Sequence, residues 1–423
     1  MKQPEGSTKG QGGEFARGWK VLLAGFLGTM CGASPLPFNV LGFLFEPLHT
    51  EFGWSRTQVS LGLTIFGVTA ALLAPAAGGL ADRIGVRRVG IGSLLGFIVT
   101  FAALGLTPHS LPAYYLLWLA MGLVGIGSTP VTWSRAIGEW FAARRGLALG
   151  LMLIGTSGAA MVVPRIAVFA EARFGWRAIF PAVALLPLLL ALPALLAWFR
   201  SPHPDERPRA ALRGAAAGGD AGAGIPFAQA IRTRQFWLQW ASILIIALAY
   251  GGAHSHMPAI VRDHGLSPAT AATIMGMLGV GSLAGRIVVG WLLDRFWGPA
   301  VALPVLCLPA IACWLLLGQA PSTTPLIVAA LLLGLAAGAE SDLIAYLAAR
   351  YFGMVEFGRI YGLLYLPFGV MSAVSPVVYG LVRDRAGSYD PVLSVAIAGF
   401  VIGALLLLGL GRYPVTFKKP ADA

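Results

Sequence analysis

Gly78-Gly79-Leu80-Ala81-Asp82-Arg83-Ile84-Gly85-Val86-Arg87-Arg88 is a short basic, glycine-containing turn between two long apolar runs. It has a partial second copy, Gly290-Trp291-Leu292-Leu293-Asp294-Arg295, 212 residues further on. Working outward, Glu51-Phe52-Gly53-Trp54-Ser55 returns at the same offset as Asp263-His264-Gly265-Leu266-Ser267. Gly146 and Gly150 return as Gly358 and Gly362. Three matches at one spacing, half of a 423-residue chain, mark an internal duplication.

The runs around these turns are too apolar for a water-soluble domain. The chain is 57% hydrophobic and 11% charged, with a mean hydropathy of +0.76. Soluble domains carry about 25% charged residues, and low charge with high hydrophobicity also excludes disorder. A membrane-crossing helix takes about 20 apolar residues. Runs of that kind fall near 19–45, 57–81, 88–107, 113–137, 146–169, 178–199, 236–259, 268–293, 299–318, 325–349, 359–382 and 392–411. The expected fold is therefore all-α and integral to the membrane, with twelve transmembrane helices in two pseudo-symmetric six-helix bundles. The expected domains are a tail at 1–17, a bundle at 18–200, a linker at 201–233, a second bundle at 234–413 and a tail at 414–423. Six helices separate the copies, so the halves share one orientation, the parallel repeat of two-bundle secondary transporters.

The net charge of +12 does not point to nucleic acid. With both termini cytoplasmic, 21 of the 30 basic residues fall on the inner side and six (Arg56, Arg173, Arg177, Arg262, Arg383, Arg385) on the outer. That is the positive-inside bias of a multi-pass protein of the cytoplasmic membrane. The linker should then be cytoplasmic and poorly ordered over Ala215–Gly224. Cys31, Cys307 and Cys313 lie inside apolar runs, giving neither a disulfide framework nor metal spacing. No cofactor, metal or catalytic residue is expected, and a polytopic membrane enzyme is disfavoured because clustered acidic metal-binding motifs are missing.

The turn at 78–88 closely resembles the loop between helices two and three of the major facilitator superfamily, departing from it at Val86. Glu51-Phe52-Gly53-Trp54-Ser55-Arg56, Phe174-Gly175-Trp176-Arg177 and Gly285-Arg286-Ile287-Val288-Val289-Gly290 are similar to its monocarboxylate and oxalate–formate transporter branch. The resemblance implies that Asp82, with Arg83 and Arg87, gates the cytoplasmic side by meeting the N-terminus of helix eleven near Gly358–Gly362. Carboxylates at helix N-termini are favoured by about 0.3–1 kcal/mol. Asp294 and Arg295 are expected to do the same for helix five. The resemblance also implies that Arg286 binds a substrate carboxylate, for which a guanidinium fork is suited.

Ionisable groups inside a membrane are functional candidates by default. Arg135 and Arg165 sit near span ends and can snorkel. Glu340 and Asp342 lie two apart on helix ten, about 200° around the axis, so only one can face a given cavity. A buried carboxyl whose protonation responds to an approaching cation suits proton coupling, and Glu340, or failing it Asp342, is expected to carry the proton. Tyr250 and His254 share a face of helix seven, with His256 pointing elsewhere. Tyr346, Tyr361, Tyr365 and, in helix one, Asn39 complete the polar and aromatic lining expected around substrate. The branch's helix-one lysine is missing from Ser34-Pro35-Leu36-Pro37-Phe38-Asn39, its helix-eight acid is replaced by Ser282, and the helix-eleven lysine of oxalate transporters has no counterpart. A small dicarboxylate is thereby disfavoured.

The reading is a monomeric secondary transporter whose partners are a small organic anion, protons and the lipid bilayer. It would move a monocarboxylate, aromatic or bulky ones included, by proton-coupled symport. A drug-type efflux pump or organic-anion exchanger is the alternative, weakened by Val162-Val163-Pro164-Arg165 where a Gly-Pro pair would stand.

Overall fold

A computed structural model describes residues 12–141, 144–200, 202, 224–318, 322–353 and 355–414. Among the described residues, twelve helical segments are long and apolar enough to cross a membrane. They are α1 (Gly13–Phe52), α2 (Arg56–Ile84), α3 (Val86–Leu106), α4 (Leu111–Trp140), α5 (Arg145–Phe174) and α6 (Trp176–Trp198) in the first half. The second half holds α7 (Arg234–Asp263), α8 (Pro268–Leu293), α9 (Gly298–Leu315), α10 (Thr323–Phe352), α11 (Phe357–Ala386) and α12 (Asp390–Leu408). Each overlaps one expected run. In a hydrocarbon solvent every backbone group must be satisfied within its segment, which leaves helices as the available choice. Extended pairing among the described residues amounts to one bridge, Gly224 with Gly353.

The duplication is visible in the turns. Gly53 and Gly265 both take positive φ, 72° and 76°, a conformation open to glycine at little cost. Two residues later Ser55 and Ser267 cap α2 and α8, accepting the N–H of Gln58 and Thr270.

Two boundaries differ from expectation. Residues 12–17, assigned to the tail, are helical, and Phe15 packs on Phe141 at 4.9 Å between ring centroids. The end of the linker is also docked rather than loose. Ile225 donates to the Phe352 carbonyl, and the Phe227 N–H donates to the Glu356 carboxylate at 2.6 Å. The expectation for Ala215–Gly224 lies, apart from Gly224, outside the described residues. In α1 the helix breaks at 31–34 ahead of Pro35, whose ring nitrogen cannot donate to the preceding turn.

The halves touch unevenly. We call the face bearing residues 12 and 414 the terminal face and the other the opposite face. At the opposite face α2 crosses α11 closely. A Cβ at Gly380 would lie 2.9 Å from the Arg56 backbone, and one at Gly67 would lie 2.4 Å from the Ala373 Cβ. Further along, Gly369 and Ala71 are only in van der Waals contact, and Gly79, Gly358 and Gly362 face open space. The α5–α8 crossing behaves alike. Gly279 meets Met161 and Ser157, whereas Gly146, Gly150 and Gly290 face open space. The result is a wedge closed at the opposite face and open at the terminal face.

Candidate functional site

The wedge is lined on the second half by α8 and α10, which approach closely because glycines of each helix lie against the other's backbone. A Cβ on Gly281 or Gly285 would meet the Leu331 or Leu335 carbonyl oxygen at 2.3 and 2.1 Å. Gly334 and Gly338 would meet those of Leu278 and Ser282 at 2.0 Å. This small-xxx-small packing is a membrane substitute for an apolar seam, and it fixes the register of the two charged residues beside it. Arg286 thereby reaches Asp342, with Nη1 at 3.4 and 3.5 Å from the two carboxylate oxygens. The guanidinium is 10% exposed and the carboxylate 37%, so the acid is the more open member. Nε of Arg286 is buried without a hydrogen-bond partner. The contact is long for a charge-assisted bond, which is commonly 2.7–2.9 Å, and it leaves part of the fork unengaged.

Tyr365 on α11 lies within the electrostatic reach of Arg286, Asp342 and Glu340. It continues an aromatic row, with Tyr361 at 5.5 Å and Phe368 at 4.9 Å between centroids. Near the closed apex, His254 Nε2 stands 3.5 Å from the Asn39 side-chain oxygen, and Asn39 donates to the Pro35 carbonyl at 2.8 Å. Tyr250 packs edge-on against His254, its hydroxyl unpartnered. Ser157 and Ser282 meet across the halves at 3.0 Å. Arg286, Asp342 and Tyr365 thus form one group, and Asn39, His254 and Tyr250 another.

Other candidates are placed elsewhere. Glu340, 6% exposed, does not pair with Arg286. It turns into the interior of the second bundle, in a cavity of about 20 Å³ shared with Gln239 and Ser242 and otherwise lined by Ile and Leu. The 200° separation of Glu340 from Asp342 is the reason. Once Asp342 meets Arg286, Glu340 must face away. Tyr346 is not in the wedge either. It donates to the Leu293 carbonyl at 3.0 Å, closing the end of α8. Arg135 donates to the Gly78 carbonyl within its own half, and Arg165 to Met161 on its own helix.

At the terminal face, Arg83 is exposed and Arg87 donates to the Leu196 carbonyl. Asp294 is exposed, and Arg295 folds over Trp291 at 4.0 Å. The side chain of Asp82 lies outside the described residues. No described neighbour comes within 4 Å of a Cβ built on Gly79, Gly358 or Gly362 at this end. Among the described residues, no three His, Cys, Asp or Glu side chains are grouped to hold a metal ion.

A cluster that the sequence reading did not assemble closes the opposite face. Asp263 of α7 takes Arg56 of α2 at 2.7 Å and Arg383 of α11 at 2.9 Å. Asp384 accepts the backbone N–H groups of Arg56 and Thr57 at 3.2 and 2.9 Å, sitting on the N-terminus of α2. Glu171 of α5 meets Arg262 of α7 at 3.3 Å. The Arg56–Asp263, Asp384–α2 and Glu171–Arg262 contacts cross between halves, whereas Arg383–Asp263 lies within the second half. The sequence showed these arginines as outer charges. The available signal was that the repeat pairs acidic Glu51 with acidic Asp263 at equivalent helix ends.

The family model of the Major Facilitator Superfamily matches residues 21–376. The chain is 28% identical to a monocarboxylate transporter 13 of Rattus norvegicus, over 93% of this chain and 87% of that one. It is 28% identical to a gallate transporter of Pseudomonas putida over 66% of each. Its fold is similar, at a TM-score of 0.63 and 17% identity over 96% of each chain, to a bacterial homologue of the human lysosomal transporter Spinster. That protein was solved in an inward-facing, unoccupied conformation.

Proposed function

Because the chain belongs to the Major Facilitator Superfamily, as a multi-pass membrane transporter similar to monocarboxylate transporters, we propose that it moves an organic monocarboxylate by proton-coupled alternating access. The observation that carries this reading is the Arg286–Asp342 pair, mid-membrane and beside the wedge, with an under-engaged guanidinium and a half-exposed carboxylate. An arginine so placed can exchange its internal carboxylate for that of a substrate. When Asp342 takes a proton, Arg286 is left as a buried cation without its anion, a costly state that an incoming carboxylate relieves. Proton and substrate then bind together. Asp342 is the proton carrier in this reading, and Glu340, turned away from the wedge, is not.

Tyr361, Tyr365 and Phe368 offer ring faces beside Arg286, and similarity to a gallate transporter supports aromatic acids within the substrate class. Asn39, His254 and Tyr250 would meet the far end of the substrate. With the positive-inside distribution, the terminal face is cytoplasmic in this reading and the wedge opens inward. Closing it would bring Asp82 to the start of α11 and Asp294 toward α5. The test is uptake by the purified chain in proteoliposomes, with aromatic and aliphatic monocarboxylates and dicarboxylates offered under an imposed pH gradient. Accumulation of monocarboxylates that collapses with the gradient supports the reading; gradient-independent uptake of dicarboxylates overturns it.

A further inference from the structure

His256, which the substrate site does not use, is fully buried on α7 beneath the ion pairs of the opposite face. Its Nε2 lies 2.8 Å from the Pro376 carbonyl oxygen and 3.2 Å from Ser60 Oγ on α2. A carbonyl can only accept, so Nε2 carries the hydrogen. In the neutral ring Nδ1 is then bare, and it accepts from the Tyr389 hydroxyl at 2.8 Å. The same hydroxyl accepts from Arg56 Nη1 at 2.8 Å. The relay therefore runs in one direction, from Arg56 through Tyr389 to His256 and on to Pro376, and it joins α2 of one half to α7 and α11 of the other.

The charged groups whose fields reach the imidazole are Arg56 from α2 and Asp263 and Asp384 from α7 and α11. The remaining close faces are the rings of Phe45 at 4.5 Å and Tyr379 at 6.0 Å. A recess of about 170 Å³ at the opposite face has the relay's own Tyr389 in its lining, with Asp263, His264, Arg383 and Asp390.

We infer that His256 is a second proton-binding site, distinct from the Arg286–Asp342 pair, and that its protonation releases the contacts closing the opposite face. A proton on Nδ1 turns the acceptor of the relay into a donor. The Tyr389 oxygen then faces two donors, Arg56 Nη1 and His256 Nδ1, and its own hydrogen loses its acceptor in a site where Tyr389 is 4% exposed. It also adds a cation below Arg56. Both changes weaken the hold of Arg56 on the second half, one of the ion-paired contacts that close this face. Protons of the opposite compartment would thus favour the state open to that compartment, the state that must load substrate from there.

The inference rests on the proposed reading only in taking alternating access as given. The experiment places spin labels at Pro108→Cys, in the α3–α4 loop, and Thr324→Cys, at the start of α10, one on each half at the opposite face, in the full chain with Cys31, Cys307 and Cys313 replaced by alanine. Distance distributions in lipid nanodiscs are read from pH 8 to pH 5. The expected result is at least a fivefold rise of a longer-distance population on acidification. That rise should be lost in His256→Gln and, with the histidine retained, in Tyr389→Phe. An unchanged pH response in either variant overturns the inference, as does the lack of a response in the unmutated chain. Substrate uptake by the unmutated chain, measured alongside, separates failure of this inference from failure of the transport reading.

Discussion

At Arg286 the chemistry of recognition is set by geometry rather than charge alone. Lysine would keep the cation but lose the planar fork. Hydrogen bonds to charged groups contribute about 1.5–3 kcal/mol, so Arg286→Lys should weaken monocarboxylate binding roughly ten- to hundredfold. Protein yield should fall much less, and equilibrium binding against size-exclusion recovery checks both. Glu340→Gln supplies the contrast. Glu340 faces Gln239 inside the second bundle, so the substitution should leave pH-driven accumulation within about twofold of the unmutated chain, checked by initial uptake rates. The two carboxyls are nearly indistinguishable in sequence, because depth along a helix is legible from spacing but rotation is not. Helix ten could be read as carrying one cavity-facing acid. Which one it was depended on α8 lying against α10 through Gly285 and Gly338, a tertiary fact.

Among the elements, the α8–α10 contact carries the site. A Cβ at Gly338 would stand 2.0 Å from the Ser282 carbonyl oxygen and 3.1 Å from the Arg286 nitrogen. Gly338→Ala must therefore push α10 off α8, an overpacking cost of typically about 1–3 kcal/mol. Thermal stability in detergent should fall and substrate affinity with it. Gly290→Ala, whose Cβ meets open space in this state, should leave both nearly unchanged. A different element-scale contact depends on pH. The Phe227 N–H and then Arg359 hold the Glu356 carboxyl below its usual range. A group with a lowered pKa stabilises the folded contact above its unfolded value and loses that contribution as pH falls through the lowered one. The segment at 224–230 should accordingly become more protease-sensitive on acidification, and Glu356→Gln should be sensitive already at neutral pH. Helix existence and the duplication were legible from apolar runs and the 212-residue offset. The helical start at residue 12 was not, since its apolar contact, Phe15 on Phe141, is made with a distant part of the chain.

For the whole molecule, the closed face is held by partly exposed ion pairs, each worth about 0.2–1 kcal/mol. Such a closure is weak enough to open during a transport cycle. Arg56→Gln should shift the population toward opening at the opposite face by roughly fivefold per kcal/mol lost, read as labelling of a cysteine placed in the wedge by a reagent added on that side. Asp82→Asn should act in the other sense, favouring the state open at the terminal face, because it removes the carboxylate expected at the start of α11. The inter-half pairs Arg56–Asp263 and Glu171–Arg262 were illegible in the sequence because their partners are joined only by the crossing of helices from different bundles.

The most direct measurement compares pH-driven uptake with counterflow exchange in proteoliposomes containing the unmutated chain or Asp342→Asn. A carrier with a permanently neutral residue 342 can still exchange labelled for unlabelled monocarboxylate at Arg286, but it has no site for the coupled proton. With Asp342 as the proton carrier, Asp342→Asn should lose accumulation driven by a pH gradient while keeping counterflow. Undiminished pH-driven accumulation in Asp342→Asn would contradict that assignment.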